Sequence, residues 1–456
     1  MSNPSLRAAY LLVFGLLAAC NTAPVLPPED LRAFALVETS LWSGGRLEVV
    51  VRHAHDEQPI PAIKLDGTAI VDSRLDDTTF RAALPVRTGG LPVRIESEEI
   101  PPLEATVELH GFVSAQLGPG VGGSVLPLPG SGGQVILGAT RSGLASVSLA
   151  TGQVVSTWSK SVHAIECANG VVPGPAVGQV VLRAGVEGAQ TCASHYTLHE
   201  TTPVGVGAGL GEVMPGWSRS IAAVVGPQSA VLGWHDNFGS FLRCGAGSPW
   251  VGCQQVEPFS EFQANLYGFE AGYTARRIIG LGIRPAIHHL GTGDIVRILP
   301  STDDSDLLYY HSAAFNSTER RLFLTAFRSA LTSSPSGLLL VLDSENGVEL
   351  DRRELVGGDP NGVAIDDARG LVYVAMHSPS ERRYWLTVLD AATLELVAEL
   401  PAPSGTIEDA VRQNGHRRLI LPVSGNMVIL VATQYTPWFT SATIPPMVIA
   451  RWSLAD

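Results

Sequence analysis

What this sequence lacks narrows its class before any motif is read. Charged residues make up 16% of its 456 positions and apolar ones 45%, a balance that excludes an extended disordered chain. The formal net charge is −13 and no basic stripe interrupts it. No nucleic-acid partner is therefore expected, because there are no clustered cations to displace phosphate counterions. No run reaches 18 apolar residues, so no helix should cross a bilayer. Nor is there a long amphipathic helical period, which points to a chain close to all-β. Three catalytic signatures are missing: the Gly-x-Ser-x-Gly nucleophile elbow, the His-Glu-x-x-His zinc helix and the haem-type Cys-x-x-Cys-His. Their absence removes those classes and weighs against an enzyme.

Turn formers, by contrast, are plentiful. The chain has 48 Gly and 31 Pro with no short period, a composition of many tight turns. Its length exceeds the size at which one core keeps growing, so two domains are expected. Arg7 gives the N-terminus a positive start, and residues 8–19 form an uncharged apolar run. That run is too short for a helix across a core of roughly 30 Å, but it suits the apolar region of a secretory signal. It ends in Leu17-Ala18-Ala19-Cys20, which resembles the lipobox of bacterial lipoproteins. The resemblance implies cleavage after Ala19, lipidation of Cys20, and a stable membrane anchor built from more than one acyl chain. Asn21 stands where that family tends to place Asp on inner-membrane lipoproteins, so the resemblance implies an outer-membrane location in the cell envelope.

Residues 1–19 thus read as a signal peptide and 20–29, with three Pro, as a tether. Residues 30–115 alternate apolar and polar positions in about six short runs. Leu47, Val49 and Val51 follow the turn Ser43-Gly44-Gly45, and Ile63 and Leu65 precede Asp66-Gly67, a hairpin signal. Strands at this density with no helical period predict a small immunoglobulin-like β-sandwich, although the Cys and Trp hallmark of immunoglobulin domains is absent. His53 and His55 lie two apart on one strand face beside Arg52 and Asp56, where a solvated face accounts for them. A Gly- and Pro-rich stretch, 118–133, marks the joint.

From 120 to 456 one unit recurs. Leu338-Leu339-Leu340-Val341-Leu342-Asp343 returns 47 residues later as Trp385-Leu386-Thr387-Val388-Leu389-Asp390, each followed by a turn and a second strand. Four short strands at this period predict a propeller blade. The strand, Thr-Gly turn and returning strand at Val147–Val155 match those at His288–Val296. These copies resemble the blades of YVTN-family β-propellers and of quinoprotein-dehydrogenase-like propellers, in which an Asp-x-x-Thr-Gly turn joins the third and fourth strands. Here Asp survives at Asp343 and Asp390, and Thr-Gly in the two earlier copies. The expected blades are 125–160, 161–205, 215–262, 270–300, 305–357, 358–404 and 405–456, a count of seven with six or eight as the alternatives.

Cys167, Cys192, Cys244 and Cys253 remain after the anchor. An even number in an exported chain reads as disulfides, and four cysteines allow three connectivities. Sequential pairing is the simplest: Cys244 and Cys253 flank the turn-rich residues 245–249, and Cys167 and Cys192 are expected on adjacent strands of one blade. Function in a propeller usually sits at the channel mouth, where His163, Asp303, Asp304, Asp359 and Asn361 fall in predicted inter-blade loops. Each is also an ordinary turn former. Two readings follow. The first is a lipid-anchored binding or scaffolding module, without cofactor, for an envelope protein or glycan. Its recognition surface would draw on Trp217, Trp234, Phe238, Phe241 and Trp250, residues that also suit blade cores. The second is a cation-dependent hydrolase or lactonase, with Ca²⁺ held by the loop carboxylates.

Overall fold

The structure is a computed structural model. It describes residues 34–53, strands and some turns between 64 and 303, residues 306–401 apart from 330–335, 379 and 382, and three strands between 416 and 453. Cys20, His163, Cys167, Cys192, Cys244, Cys253 and Asp304 lie outside the described residues. Every regular element among the described residues is a strand.

The N-terminal alternation folds as its turns require. Phe34–Trp42 pairs antiparallel with Arg46–His53 through Ser43-Gly44-Gly45, where Gly44 and Gly45 take φ of 73° and 65°. Two successive left-handed residues are cheap only without a Cβ. Leu65 pairs with Thr68, leaving Asp66-Gly67 as a two-residue connection. Two four-stranded antiparallel sheets result. The first runs Phe34–Trp42, Arg46–His53, Thr79–Pro85, Ser73–Arg74; the second runs Thr68–Ala69, Lys64–Leu65, Leu91–Ser97, Ile100–Val107.

The remainder is a β-propeller. Among the described strands, seven lie innermost and neighbour one another in chain order: Val121–Pro127, Val171–Pro173, Ser220–Val224, Gly268–Gly272, Asp306–Phe315, Asp359–Asp366 and His416–Pro422. Each leads outward into its own antiparallel strands. We number these groups in chain order, so that blade four spans 268–298, blade five 306–356 and blade six 359–401, each with four consecutive strands. In the third group the described strands form two separate pairs, Ser220–Val224 with Val231–Trp234 and Phe241–Arg243 with Gln254–Val256. The last group has three strands of its own and takes its fourth from far upstream: Gly111–Gln116 pairs antiparallel with Val448–Ser453. The border read at 115 therefore falls inside a strand that is hydrogen-bonded to the C-terminal blade. A parallel bridge between Gly122 and Gln434 joins that blade to the first.

The long apolar runs are explained by blade stacking. Ser336–Asp343 is buried along nearly its whole length, because both of its faces meet protein. Its two-residue period divides the side chains: Leu338, Leu340 and Leu342 join a core with Ile279 and Ile287 of blade four, while Leu339 and Val341 join one with Val363, Val372 and Trp385 of blade six. The fourth strand of the same blade is the outer edge, and Glu349–Val356 is mostly exposed.

Candidate functional site

Each blade offers two ends. The turn face carries the turns from first to second and from third to fourth strand; the entry face carries the start of the inner strand.

On the turn face, short polar side chains hold the backbone. Asp343 ends the third strand of blade five, and its Oδ1 accepts from the amides of Glu345 and Asn346 at 2.8 and 3.1 Å. Asp390 repeats the device in blade six, accepting from Ala392 and Thr393 at 2.8 and 2.9 Å. These are the two aspartates singled out by the repeat, and both sit between third and fourth strands. Neighbouring blades are joined here by arginines at the first position of the second strand. Arg277 donates to the Glu345 carbonyl at 2.8 Å and Arg321 to that of Ala391 at 3.5 Å.

The entry face is where the sequence placed its candidates. Asp359 and Asn361 lie not in a loop but within the inner strand Asp359–Asp366. The Gly-Gly-Asp-Pro-Asn composition that suggests a loop reflects a turn of two residues, Gly357 and Gly358, entering that strand directly. Gly358 is packed against its neighbours: a Cβ there would stand 2.6 Å from Trp385 Cη2 and 2.7 Å from the His377 carbonyl. Asn361 is buried, its Oδ1 lies 3.2 Å from His311 Nδ1, and its Nδ2 donates to the Asp359 carbonyl at 3.2 Å. One step along the same seam, the Val363 amide donates to Ser312 Oγ at 3.2 Å. This carboxamide therefore ties the inner strands of blades five and six together. Asp303 lies in a two-residue strand pairing with Asp306 and Leu307. Among the described residues no three His, Cys, Asp or Glu side chains are grouped to hold a metal ion.

Sequence reasoning missed the residues beside Asn361. Asp359, His377 and Tyr384 are direct cross-strand neighbours, a row running outward over three strands. His377 stacks on Tyr384 with centroids 4.3 Å apart and planes 15° from parallel. Next to it the exposed Arg383 guanidinium lies 4.6 Å over the Trp385 ring, whose Nε1 donates to Thr387 at 3.1 Å. His311 meets Phe327 edge-on at 6.4 Å. In sequence these are ordinary strand residues with no motif; the Tyr-Trp pair at the head of the repeated strand was the available signal. The aromatic cluster read between Trp217 and Trp250 lies outside the residues whose side chains the structure describes.

Fold and site together define a β-propeller whose blades are locked at the turn face and carry aromatic, cationic and amide groups at the entry face. No protein-family model and no curated protein sequence matches the chain. Among solved structures it is similar to the β-propeller domain of Myceliophteria thermophila Cps50 (Swd1), with a TM-score of 0.47, 10% identity, and coverage of 75% of this chain and 98% of that one. It is also similar to Chaetomium thermophilum Raptor, with a TM-score of 0.48, 9% identity, and coverage of 75% of this chain and 29% of that one.

Proposed function

We propose that this chain is a lipid-anchored binding module of the bacterial envelope, a seven-bladed propeller of YVTN type held at the outer membrane through Cys20. We further propose that a protein partner meets its entry face at blades five and six. The observation that carries the reading is the entry face itself. The exposed Arg383 lies on the Trp385 ring, His377 stacks on Tyr384, and Val356, which ends the strand leading into the same blade, is 79% exposed. Arginine is among the side chains that most often supply binding energy at protein interfaces, and here Arg383 and Val356 are the exposed groups, set over the buried rings of Tyr384 and Trp385. Asn361, the carboxamide nominated for an ion, hydrogen-bonds with His311 and the Asp359 carbonyl.

Photo-cross-linking in the native envelope tests this. A cross-linkable residue replacing Val356 should give an adduct of one defined mass, and the same residue replacing Asn346 on the turn face should not. Arg383→Ala should reduce the adduct several-fold. An adduct degraded by glycosidases and resistant to protease would replace the protein partner with a glycan. Absence of any entry-face adduct, together with cation-dependent lactone hydrolysis by the purified chain, would overturn the binding reading.

A further inference from the structure

Blade six differs from its neighbours on the turn face, and the difference has an occupant. The tip of the first hairpin, Ser43 and Gly44, lies there. The Ser43 amide donates to the Arg369 carbonyl at 2.9 Å and the Gly44 amide to Asp390 Oδ2 at 2.8 Å. Asp390 thus acts twice: Oδ1 holds its own turn through Ala392 and Thr393, and Oδ2 is turned to an amide 346 positions away in sequence.

Strand register shows why this blade takes the hairpin. In blades four, five and six the first two strands are joined by four-residue turns, 273–276, 317–320 and 367–370. Their last positions are Arg276, Arg320 and Gly370. Gly370 has φ of 67°, and a Cβ built on it would stand 3.0 Å from Ser43 Cβ and 3.1 Å from Ser43 Oγ. The hairpin tip thus fills the space that a side chain at this position would need, and the neighbouring blades carry an arginine there. Gly44 brings no side chain of its own, and a Cβ on it would meet nothing within 4 Å, so its φ of 73° rather than crowding calls for glycine. Two amides, one carboxylate oxygen, one carbonyl and one missing side chain fit together without any other group.

We propose that blade six carries a built-in socket, formed by Gly370, Asp390 and the Arg369 carbonyl, that receives the tip of the N-terminal hairpin and fixes the N-terminal sheets to the turn face of the propeller. The socket makes the two parts one body and leaves the opposite, entry face uncovered by that hairpin. It stands whatever the partner of that face is.

Hydrogen–deuterium exchange on the full-length chain tests it, read on peptides covering 41–46. In the native chain the Ser43 and Gly44 amides should be protected. Asp390→Asn keeps an acceptor for Ala392 and Thr393 but turns an NH2 group toward the Gly44 amide, and should speed exchange of these amides at least tenfold. Gly370→Arg, which installs the residue of the neighbouring blade, should do the same. Asp343→Asn makes the identical chemical change in blade five, where no hairpin sits among the described residues, and should leave exchange at 41–46 unchanged. Uptake over 306–329 should stay native in all three, which separates undocking from unfolding. Free exchange of Ser43 and Gly44 in the native chain, or equal effects of the Asp390 and Asp343 variants, would overturn the socket.

Discussion

Asp390 shows how much one carboxylate holds in this fold. Burial alone pushes its carboxyl up, but hydrogen bonds from the amides of Thr393, Gly44 and Ala392, with help from the Thr393 hydroxyl, outweigh burial and hold it below the usual carboxylate value. A carboxyl whose folded value is depressed stabilises the fold above its unfolded value of about 3.9 and loses that contribution as pH falls through the folded value. The charged groups around it come from three other segments. Arg321 reaches the adjoining Ala391 carbonyl, Arg353 reaches the Leu394 carbonyl, and Arg369 is paired with Asp366 at 2.8 Å. The urea midpoint of Asp390→Asn should therefore trail the native chain by a constant interval from pH 8 to about 5, and the interval should close in more acidic solution. A deficit that grows as the solution is acidified would contradict this sign. Gly358 makes a second prediction at this scale. Its absent Cβ leaves room for Trp385 and the backbone of His377, so Gly358→Ala should lower stability by about 1–3 kcal/mol, measured by urea denaturation. It should also shift the environment of Trp385, visible in near-ultraviolet dichroism.

At the level of the strand, burial on two faces makes the third strand intolerant of truncation. Leu340 is 4% exposed in the core shared with blade four, and Leu340→Ala should cost about 2–5 kcal/mol in urea unfolding. Leu350, 52% exposed on the outer strand of the same blade, should change stability by less than about 0.5 kcal/mol when replaced by Ala. This contrast also explains what was legible in the sequence. Blades five and six were read within a few residues of their observed ends, because a strand buried on both faces must be continuously apolar and its Asp turn must follow. The entry face was not legible: Asp359, His377 and Tyr384 meet through cross-strand register, His311 meets Asn361 across two blades, and neither leaves a mark in a single sequence. The cysteines fall between these cases. Cys244 and Cys253 lie outside the described residues, but in sequence the first directly follows Phe241–Arg243 and the second directly precedes Gln254–Val256, two strands that pair antiparallel with Arg243 opposite Gln254. A Cys244–Cys253 disulfide is therefore expected in peptide mapping of the non-reduced chain, since paired strands lie within the reach of a disulfide. Cys167 and Cys192 lie outside the described residues; the described strands that follow them, Val171–Pro173 and Ser194–Thr202, both pair with Gln179–Ala184.

For the whole molecule the decisive pairing joins the two ends of the propeller. An open ring of blades leaves two unpaired edges, and an edge strand is a site for slippage and association. Here Gly111–Gln116 completes the C-terminal blade against Val448–Ser453, so the ring is closed by strands more than three hundred positions apart, with Val113 opposite Arg451. Contacts of such separation are costly to form, since chain entropy must be lost before any pairing compensates it, and closure should be late in folding. Covalent capture tests it in the intact chain. Cysteines replacing Val113 and Arg451 should oxidise to a disulfide without added catalyst. The engineered bond should raise the urea midpoint, because it removes loop-closure entropy from the unfolded state, on the order of 5 kcal/mol as an upper figure in the chain-entropy model. The offset pair, cysteines replacing Val113 and Ile449, lies outside the observed register and should form slowly and stabilise less. Equal yields for the two pairs would mean that the upstream strand does not hold this register, and the ring would then have to close through the three C-terminal strands alone.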